Sequence, residues 1–229
     1  FENETGWAWK ELCKFSDIIF DVGANVGIYS LVAKTINPQS KIYAFEPSQN
    51  TFYKLQKNIT LNDFDIECSQ LAVSNTNGNL TFYDVPNEHQ TSASLSPDKL
   101  KNLSWYHGEI KEYDVEVVSI EHFIKSKNIG KLDLIKIDVE LHEPEIIEGF
   151  GKYLKEYNPI VFIEVLTEEI ANKLNNLIPL DDYHLYHLKE EGVVVPENKF
   201  AVHPCLWNYV VFHKSKKQFI DSNTTIFQN

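Results

Sequence analysis

Two groups of residues in this chain have types and spacing that are suited to chemistry. The first is Asp21-Val-Gly-Ala-Asn-Val-Gly27, in which an acid precedes a turn containing two glycines. The second is Asp138-Val-Glu-Leu-His-Glu143, which places four titratable side chains within six positions. Carboxylates can hold the hydroxyls or the positive charge of a ligand, and a histidine can accept a proton near neutral pH. Because each group follows an apolar run, we expect both at the carboxyl ends of buried strands.

The spacing of the glycine turn indicates which kind of cofactor it would hold. A dinucleotide site uses G-x-G-x-x-G, whereas Asn25 stands here where a middle glycine would be. Asparagine tolerates a left-handed backbone, so the turn can survive this replacement. The next β-like run ends at Glu46, 23 residues after Gly23, where a carboxylate is the usual partner of a ribose diol. Asp21, the turn and Glu46 together fit S-adenosylmethionine, whose cationic groups favour nearby negative charge. The same turn could also serve packing alone.

The second group follows the apolar strand predicted at residues 132–138. Both groups should therefore face one cleft at the carboxyl edge of a parallel sheet, where free amide N–H groups at the helix start face outward. Lys136 shares strand parity with Asp138, although it could instead lie in a helix layer as a snorkelling side chain. One or two of the acids could simply cap the helix that begins near Pro144, and we still expect Asp138 to face the cofactor. These residues could instead bind a divalent metal ion, but we rank a metal site below a site that acts without metal.

Strands and helices alternate along the chain in the order expected for βα units. This order predicts a doubly wound, Rossmann-like α/β sheet that is mostly parallel and ends in an antiparallel strand. We expect a single domain over residues 1–229, with an N-terminal helix at about 5–14 and an inserted hairpin and loop segment at about 79–118. The predicted strands are 18–22, 41–45, 65–72, 80–85, 113–118, 132–138, 160–165, 183–188, 193–195 and 208–213, and the further predicted helices are 28–36, 49–61, 119–127, 144–157 and 168–177.

Composition narrows the classes of partner. The formal net charge of −12 argues against a nucleic-acid surface, which draws its affinity from clustered Lys and Arg. No apolar stretch is long enough to span a bilayer. Cys13, Cys68 and Cys205 are far apart, so the sequence indicates neither a disulfide framework nor a zinc cluster, and we expect a cytoplasmic protein. The basic run at residues 214–217 is predicted to be a solvated tail.

Several linked motifs resemble those of the FkbM family of S-adenosylmethionine-dependent methyltransferases. The family carries D-V-G-A-N-x-G, then F-E-P, a Ser-rich A-S-L segment and K-I-D-V-E-G-x-E. This chain has Asp21-Val-Gly-Ala-Asn-Val-Gly27, Phe45-Glu-Pro47, Ser92-Ala-Ser-Leu95 and Lys136-Ile-Asp-Val-Glu-Leu-His-Glu143 in the same order. The match spans about residues 17–165 and also the terminal run at 208–212. Leu141 departs from the pattern because the family usually has Gly there, and the change could narrow the pocket or alter the local turn.

The resemblance implies a class I methyltransferase fold and transfer of a methyl group to an oxygen, typically of a sugar or another small-molecule alcohol. The implied partners are S-adenosyl-L-methionine and a small-molecule or glycan acceptor. A hydroxyl is a poor nucleophile at neutral pH, so a positioned base should help. We expect the cofactor to contact Asp21, Gly23, Ala24, Asn25, Gly27, Glu46, Pro47, Ala72 and Asp138, the catalytic residues to come from Asp138, Glu140, His142 and Glu143, and the acceptor to lie near Ser92, Ser94 and Glu164.

Two other functional classes remain open from the sequence. An NAD-dependent oxidoreductase would use the same fold, but it would need the dinucleotide glycine pattern that is absent here. A non-catalytic relative would bind the cofactor without turning over any acceptor.

Overall fold

The computed structural model of the chain describes residues 5–84, 94–95, 111–189, 192–204 and 206–227. Helices and strands alternate through most of these residues. The helices are α1 (Gly6–Cys13), α2 (Ile28–Ile36), α3 (Gln49–Leu61), α4 (Ile120–Ser126), α5 (Glu143–Gly149), α6 (Tyr153–Tyr157), α7 (Glu168–Leu177) and α8 (Lys217–Asn223). The strands are β1 (Ile18–Val22), β2 (Lys41–Phe45), β3 (Glu67–Ser69), β4 (Ala72–Ser74), β5 (Gly78–Asp84), β6 (Lys111–Ser119), β7 (Leu134–Ile137), β8 (Ile160–Glu164), β9 (Tyr183–Leu188), β10 (Val194–Glu197) and β11 (Asn208–His213).

Eight of these strands form one large sheet in the order β10-β9-β11-β8-β7-β1-β2-β3. Strands β3, β2, β1, β7 and β8 are mutually parallel, whereas β11 pairs antiparallel with β8 and with β9. After β1 the chain forms β2 on one side of β1, and the later strand β7 pairs with β1 on its other side. The gap above β1 and β7 is therefore the topological switch point, where open α/β sheets bind ligands.

A smaller sheet with the order β4-β6-β5 lies beside the large one. Strands β5 and β6 pair antiparallel along the whole of β5, as the alternating pattern predicts, and β4 runs parallel to β6. Ser94 adds one bridge to Tyr83 of β5. The small sheet thus positions the beginning and the end of the segment between β5 and β6.

Helices cover the large sheet and bury apolar side chains against its two faces. One face packs under α4, α5 and α7 around Phe20, Ile135 and Ile163, which are at most 1% exposed. The other face packs under α1, α2 and α3, where the fully buried Trp9 donates from its indole Nε1 to the carbonyl of Tyr29 at 3.0 Å. Among the described residues, none of the helices combines the length and the apolar character needed to cross a lipid bilayer.

Helix boundaries follow from capping and from chain-breaking residues. Helix α7 begins after Thr167, whose hydroxyl accepts a hydrogen bond from the Ile170 amide at 3.3 Å. Helix α2 ends at Ile36, immediately before Asn37 and Pro38, because a proline disfavours helical geometry in the residue that precedes it.

The structure corrects three predicted elements. The single strand predicted at 65–72 is two strands, β3 and β4, which belong to different sheets. The helix predicted at 144–157 is divided into α5 and α6, with Gly151 at a positive φ of 53° between them. The predicted solvated tail at 214–217 instead leads into α8, and the Lys217 ammonium donates to Asp221 at 2.6 Å and to the Phe227 carbonyl at 2.7 Å.

Candidate active site

A cavity of about 370 Å³ opens at the carboxyl ends of β1, β2 and β7. Its size is within the range of small-molecule sites. Most of the residues that the sequence singled out line it, although they come from distant parts of the chain. The predicted residues in its wall are Gly23, Ala24, Asn25, Glu46, Pro47, Ala72, Asp138, Glu140, His142 and Glu164.

The two glycines of the first loop serve different purposes. Gly23 has a φ of 77°, and a Cβ there would lie 1.9 Å from the backbone oxygen of Asp138. This close approach brings the loop directly against the end of β7. Gly27 has a φ of 92° at the start of α2, and a Cβ there would meet the side chain of Leu55 at 2.5 Å. Gly27 does not line the cavity, so glycine is required at this position for packing against Leu55 and not for contact with a ligand. Asn25 has a φ of 51°, as its tolerance of the left-handed region predicts.

Three backbone amides of this loop are used in hydrogen bonds within the chain. The amides of Gly23 and Ala24 both donate to the carbonyl of Phe45, at 3.1 and 2.9 Å. The Gly27 amide donates to the Ala24 carbonyl at 2.8 Å. The loop is held onto the end of β2 by these bonds, and its contribution to a ligand site is mainly shape.

The carboxylate of Glu46 completes this attachment. Its Oε2 accepts from the Asn25 amide at 3.0 Å, and its Oε1 accepts from the Ser48 amide at 2.9 Å. Burial raises the pKa of Glu46 to about 7, with the two amide hydrogen bonds acting in the opposite direction. A carboxylate oxygen has two lone pairs, so each oxygen can accept a further hydrogen bond from a ligand hydroxyl.

Lys136 is the one buried cation at the centre of the described part of the site. Its Nζ lies 2.7 Å from Oδ2 of Asp138 and 4.4 Å from the centre of the Tyr29 ring. In the register of β1 and β7 it lies opposite Asp21. Burial lowers the pKa of Lys136, but Asp138, Asp21 and Glu164 outweigh it and the net pKa is raised. Lys136 is therefore charged at neutral pH, and it is not a snorkelling side chain.

Asp21 lies beneath the cavity and does not line it. Its side chain is fully buried, and its Oδ2 accepts from the Ser30 hydroxyl at 2.6 Å. Burial raises the pKa of Asp21, and the opposite effects of Lys136 and the Ser30 hydrogen bond offset part of this rise. Asp21 thus contributes to the site by stabilising the charge of Lys136, which lines the cavity.

The turn after β7 has an unusual backbone. Glu140 and Leu141 both have positive φ values, 61° and 76°, which side chains with a Cβ rarely adopt. Oε1 of Glu143 accepts from the amides of Val139 and Leu141, at 3.4 and 3.2 Å. The Ser94 hydroxyl donates to the carbonyl of Glu140. Leu141 thus replaces the family's glycine at a position whose conformation favours glycine.

Glu143 and Ser94 consequently take different places from those expected. Glu143 is 1% exposed and lies outside the cavity wall, and burial raises the pKa of its carboxyl to about 7. Ser94 is equally buried and also lies outside the wall. Both residues hold the turn in place from behind. Ser92 lies outside the described residues.

His142 lines the cavity at the end of this turn. Its Nε2 lies 3.0 Å from the Ser74 hydroxyl, and its Nδ1 lies 3.7 Å from Oε2 of Glu145. Burial lowers the pKa of His142, the Glu145 carboxylate raises it, and Lys173 lowers it further. The net pKa is below the ordinary value of 6.5, so the ring is mostly neutral at pH 7 and can accept a proton.

Sequence reasoning missed several residues of the wall. Lys136 could have been included because it shares strand parity with Asp138 and faces Asp21 in a parallel register. The apolar residues of the wall give no comparable signal, because in the sequence they cannot be distinguished from residues of the hydrophobic core. These missed residues include Tyr29, Phe45, Leu71, Val73, Phe82 and Leu95.

Solved structures with the same fold include methyltransferases. Methyltransferase FkbM from Methylobacillus flagellatus KT has a TM-score of 0.55 and 15% identity, with 86% of this chain and 44% of that chain covered. An rRNA methylase from Streptococcus thermophilus has a TM-score of 0.50 and 13% identity, with 91% of this chain and 94% of that chain covered. These likenesses confirm the predicted Rossmann-like class I methyltransferase fold.

Relatives by sequence are also methyltransferases. Methyltransferase 1 of Beauveria bassiana is 30% identical over 142 residues, which cover 57% of this chain and 57% of the relative. Hexuronic acid methyltransferase AglP of Haloferax volcanii is 24% identical over 149 residues, covering 65% of this chain and 56% of that protein. The 31-O-demethyl-FK506 methyltransferase FkbM of Streptomyces tacrolimicus is 28% identical over 153 residues, covering 58% of this chain and 59% of that protein. The matches thus span less than two thirds of each relative's length.

The family model for the methyltransferase FkbM domain matches residues 21–190 of this chain. This range holds every residue of the cavity wall, from the glycine loop to Glu164. The chain belongs to the FkbM methyltransferase family.

Proposed function

We propose that this chain transfers a methyl group from S-adenosylmethionine to a hydroxyl oxygen of a sugar or another small molecule. One observation carries the proposal. The glycine loop, Glu46 and the turn that begins at Asp138 come from distant parts of a methyltransferase-family sequence and line one cavity.

The residues of the wall fit this cofactor. Glu46 is buried at the tip of β2 with lone pairs available for the two hydroxyls of a ribose. Phe45, Val73 and Phe82 offer an apolar surface for a purine ring. The carboxylate of Asp138 provides negative charge for a cationic amino-acid group. S-adenosylmethionine supplies an electrophilic methyl group at a positively charged sulfur.

The chain's own contribution to the reaction is to orient the partners and to take up a proton. We assign proton acceptance to the His142 ring, because it is neutral, lies in the wall and is flanked by Ser74 and Glu145. The nearby Glu145 carboxylate would stabilise the charged ring. Asp138 is paired with Lys136, so we assign it a positioning role rather than that of the base. Glu143 and Ser94 keep the backbone of residues 139–141 in place.

Binding measurements test the cofactor assignment. Calorimetric titration should give saturable, one-to-one binding of S-adenosylhomocysteine and no comparable binding of NADH. The variant Glu46→Gln keeps the side-chain length but replaces one acceptor oxygen, and we expect it to weaken S-adenosylhomocysteine binding by roughly tenfold. Preferential binding of NADH would contradict the proposal and favour the oxidoreductase.

Turnover measurements test the base. In His142→Ala we expect the rate of methyl transfer to fall by roughly 10²- to 10⁴-fold while S-adenosylhomocysteine binding persists. His122→Ala removes an exposed histidine of α4 and serves as the control. If Asp138→Asn and His142→Ala both kept full turnover with bound cofactor, the assigned roles would be wrong.

The pH profile gives a second test of His142. A base must be deprotonated to act, so kcat/KM should fall tenfold for each pH unit below the pKa of His142. Because that pKa lies below 6.5, the acidic limb should also lie below pH 6.5. The limb should disappear from the residual activity of His142→Ala.

Acceptor screening tests the substrate class. The matched relatives include a hexuronic acid methyltransferase and a methyltransferase of a demethylated FK506, so free uronic acids, their glycosides and hydroxylated polyketides form the first panel. Cofactor binding with no turnover on any acceptor would favour a non-catalytic relative. Methylation of RNA in preference to the panel would overturn the small-molecule assignment.

A chelator tests the competing metal mechanism at the turn. If the turn acts without a metal ion, magnesium should not raise the activity of the chelated chain. Loss of activity that magnesium restores would instead assign Asp138, Glu140 and His142 to a divalent cation.

A further inference from the structure

We propose that His187, Glu197 and His203 form a binding site for a divalent transition metal ion, with zinc as the best fit. The three residues come from β9, from β10 and from the loop between β10 and β11. One possible ligand atom of each lies within 4.8 Å of the other two. The site is separate from the cavity, since none of the three residues lines the cavity wall.

The strand register brings the first two ligands to one face of the sheet. His187 lies opposite Val195 of β10 and opposite Tyr209 of β11. Glu197 is two residues beyond Val195, so its side chain points to the same face as that of His187. His203 reaches this face from the loop, and its ring stacks on that of His187 with centroids 3.9 Å apart.

The hydrogen bonding of His187 leaves one ring nitrogen available for a ligand. Its Nε2 lies 3.1 Å from the carbonyl oxygen of Leu206. A carbonyl can only accept, so Nε2 carries the proton and Nδ1 carries the lone pair. A histidine that binds a metal commonly donates its other N–H to a backbone carbonyl in this way.

Two ring nitrogens of the cluster are buried without a hydrogen-bond partner in the part of the chain that the structure describes. They are Nδ1 of His187, in a residue with no exposed surface, and Nε2 of His203. A buried polar atom without a partner costs free energy, and such atoms call for an explanation. A bound cation would satisfy both nitrogens and would also neutralise the nearby Glu197 carboxylate, whose Oε1 lies 4.0 Å from Nε2 of His203.

The ligand set selects the type of ion. Two imidazole nitrogens and one carboxylate suit zinc and its neighbours, whereas magnesium and calcium prefer oxygen ligands. In a tetrahedral zinc site two ligand atoms lie about 3.4 Å apart, so the ligand atoms, which now lie within 4.8 Å of one another, must approach by up to roughly 1.4 Å on binding. The lone pairs must also point at the ion, so the His203 ring turns out of its stack on His187. His203 can turn because it lies on a loop.

The loop that carries His203 is fixed at both of its ends. Asn175 accepts from the Phe200 amide at 2.8 Å and donates to the Phe200 carbonyl at 3.0 Å. Near the other end, the Trp207 carbonyl accepts from the Val165 amide at 2.7 Å, next to Glu164 in the cavity wall. An ion between β9, β10 and this loop would therefore stiffen the edge of the sheet that continues to the acceptor side of the cavity.

Metal titration of the chain without a histidine tag tests the site. After chelation and removal of the chelator, we expect one equivalent of Zn²⁺ to bind in competition with a chromophoric chelator. X-ray absorption should then show only nitrogen and oxygen neighbours at about 2.0–2.2 Å. We expect His203→Ala and Glu197→Gln each to weaken binding by roughly 100-fold or more, because each removes or neutralises a direct ligand.

Controls separate this site from chance binding. His122→Ala and His184→Ala remove histidines outside the cluster and should bind Zn²⁺ as the unaltered chain does. Circular dichroism should show that His203→Ala, which changes a loop residue, remains folded. The proposal is overturned by the absence of saturable binding, by unaltered binding in His203→Ala, by an equal loss in the two controls, or by a sulfur neighbour that assigns the ion to a cysteine.

Discussion

The loop at residues 21–27 and the turn at residues 138–143 face the same cavity, but they reach their shapes in different ways. The loop places glycine or asparagine at its positive-φ positions, Gly23, Asn25 and Gly27. The turn places Glu140 and Leu141 in the same region of backbone space. Glycine adopts that conformation without strain and asparagine tolerates it, whereas other residues are strained there by roughly 1–3 kcal/mol each.

This difference shows how each region is held. The loop needs little support beyond hydrogen bonds to the end of β2 and to Glu46. The turn is held by a buried carboxylate, Glu143, and by the hydroxyl of Ser94. The backbone shape of the loop is therefore favoured by its own sequence, whereas that of the turn depends on contacts with its surroundings.

The largest expected effect comes from Lys136, which connects the two regions. In Lys136→Met the buried Asp21 and the partly exposed Asp138 lose their cation, and we expect the free energy of unfolding to fall by about 3–5 kcal/mol. Urea denaturation measures this change. Lys131→Met removes an exposed cation that pairs with Asp17 at 2.6 Å and should cost less than about 1 kcal/mol. Equal losses in the two variants would show that Lys136 has no special role. Adding Asp138→Asn to Lys136→Met removes the unpaired carboxylate and should recover part of the lost free energy of unfolding.

Gly23→Ala tests whether the loop must approach the turn so closely. The added Cβ would overlap the Asp138 carbonyl oxygen at a backbone position with positive φ, so we expect a loss of roughly 3 kcal/mol and greatly weakened S-adenosylhomocysteine binding. Gly130→Ala is the matched control, because no atom lies within 4 Å of its added Cβ. Denaturation and calorimetry of both variants provide the comparison, and a Gly23→Ala variant as stable as the control would contradict the close contact.

Glu143→Ala tests the buried support of the turn. Removing the carboxylate leaves the amides of Val139 and Leu141 without their acceptor, and we expect a loss of about 2 kcal/mol. Glu143→Gln keeps an acceptor oxygen and should lose less. An equal loss in the two variants would mean that the retained acceptor oxygen contributes nothing, and would contradict support of the turn by these hydrogen bonds.

The same residue predicts a pH dependence of stability. The pKa of Glu143 is about 7 in the folded chain and its ordinary value is 4.5, so between these pH values the folded state binds more protons than the unfolded state. Its contribution to stability is full below pH 4.5 and is lost as the pH rises to about 7. Glu143→Gln should reduce this decline, which denaturation at several pH values would measure, and an unchanged pH profile would contradict the raised pKa.

The smallest effect concerns Leu141, which stands where the family has glycine. Both Leu141→Ala and Leu141→Gly lose the packing of the side chain, but only glycine relieves the strain at a φ of 76°. We expect the Gly variant to be more stable than the Ala variant by about 1 kcal/mol in urea denaturation. The usual order, in which alanine is more stable than glycine, would show that the turn is not strained at this position.

The sequence predicted the elements that have clear local signals. Strands β1 and β2 and helix α2 have the predicted bounds because apolar runs and helical spacing end at Gly, Pro or acidic residues. The break between β3 and β4 was missed because residues 65–72 have no such signal, and the two strands separate only through pairing with β2 and β6. Strand pairing between distant segments decides this boundary.

The composition of the site was predicted better than its hydrogen bonds. Parallel-sheet topology brings Gly23, Glu46 and Asp138 to one edge, which spacing alone could indicate. The directions of the loop amides, the burial of Glu143 behind the wall and the central place of Lys136 depend on the register of β1 and β7 and on side-chain packing. Those properties require the three-dimensional arrangement.

The small sheet contacts the turn through two hydroxyls, that of Ser74 on β4 and that of Ser94 beside β5. It therefore touches the part of the cavity wall that we propose faces the acceptor, whereas the glycine loop rests on β2. A chimera that exchanges the segment from β4 to β6 with that of another family member would carry these hydroxyls with it. If Val73 and Phe82 of the proposed purine surface are kept, such an exchange should change acceptor preference while leaving the affinity for the methyl donor nearly constant, which makes the rest of this segment a natural unit for engineering.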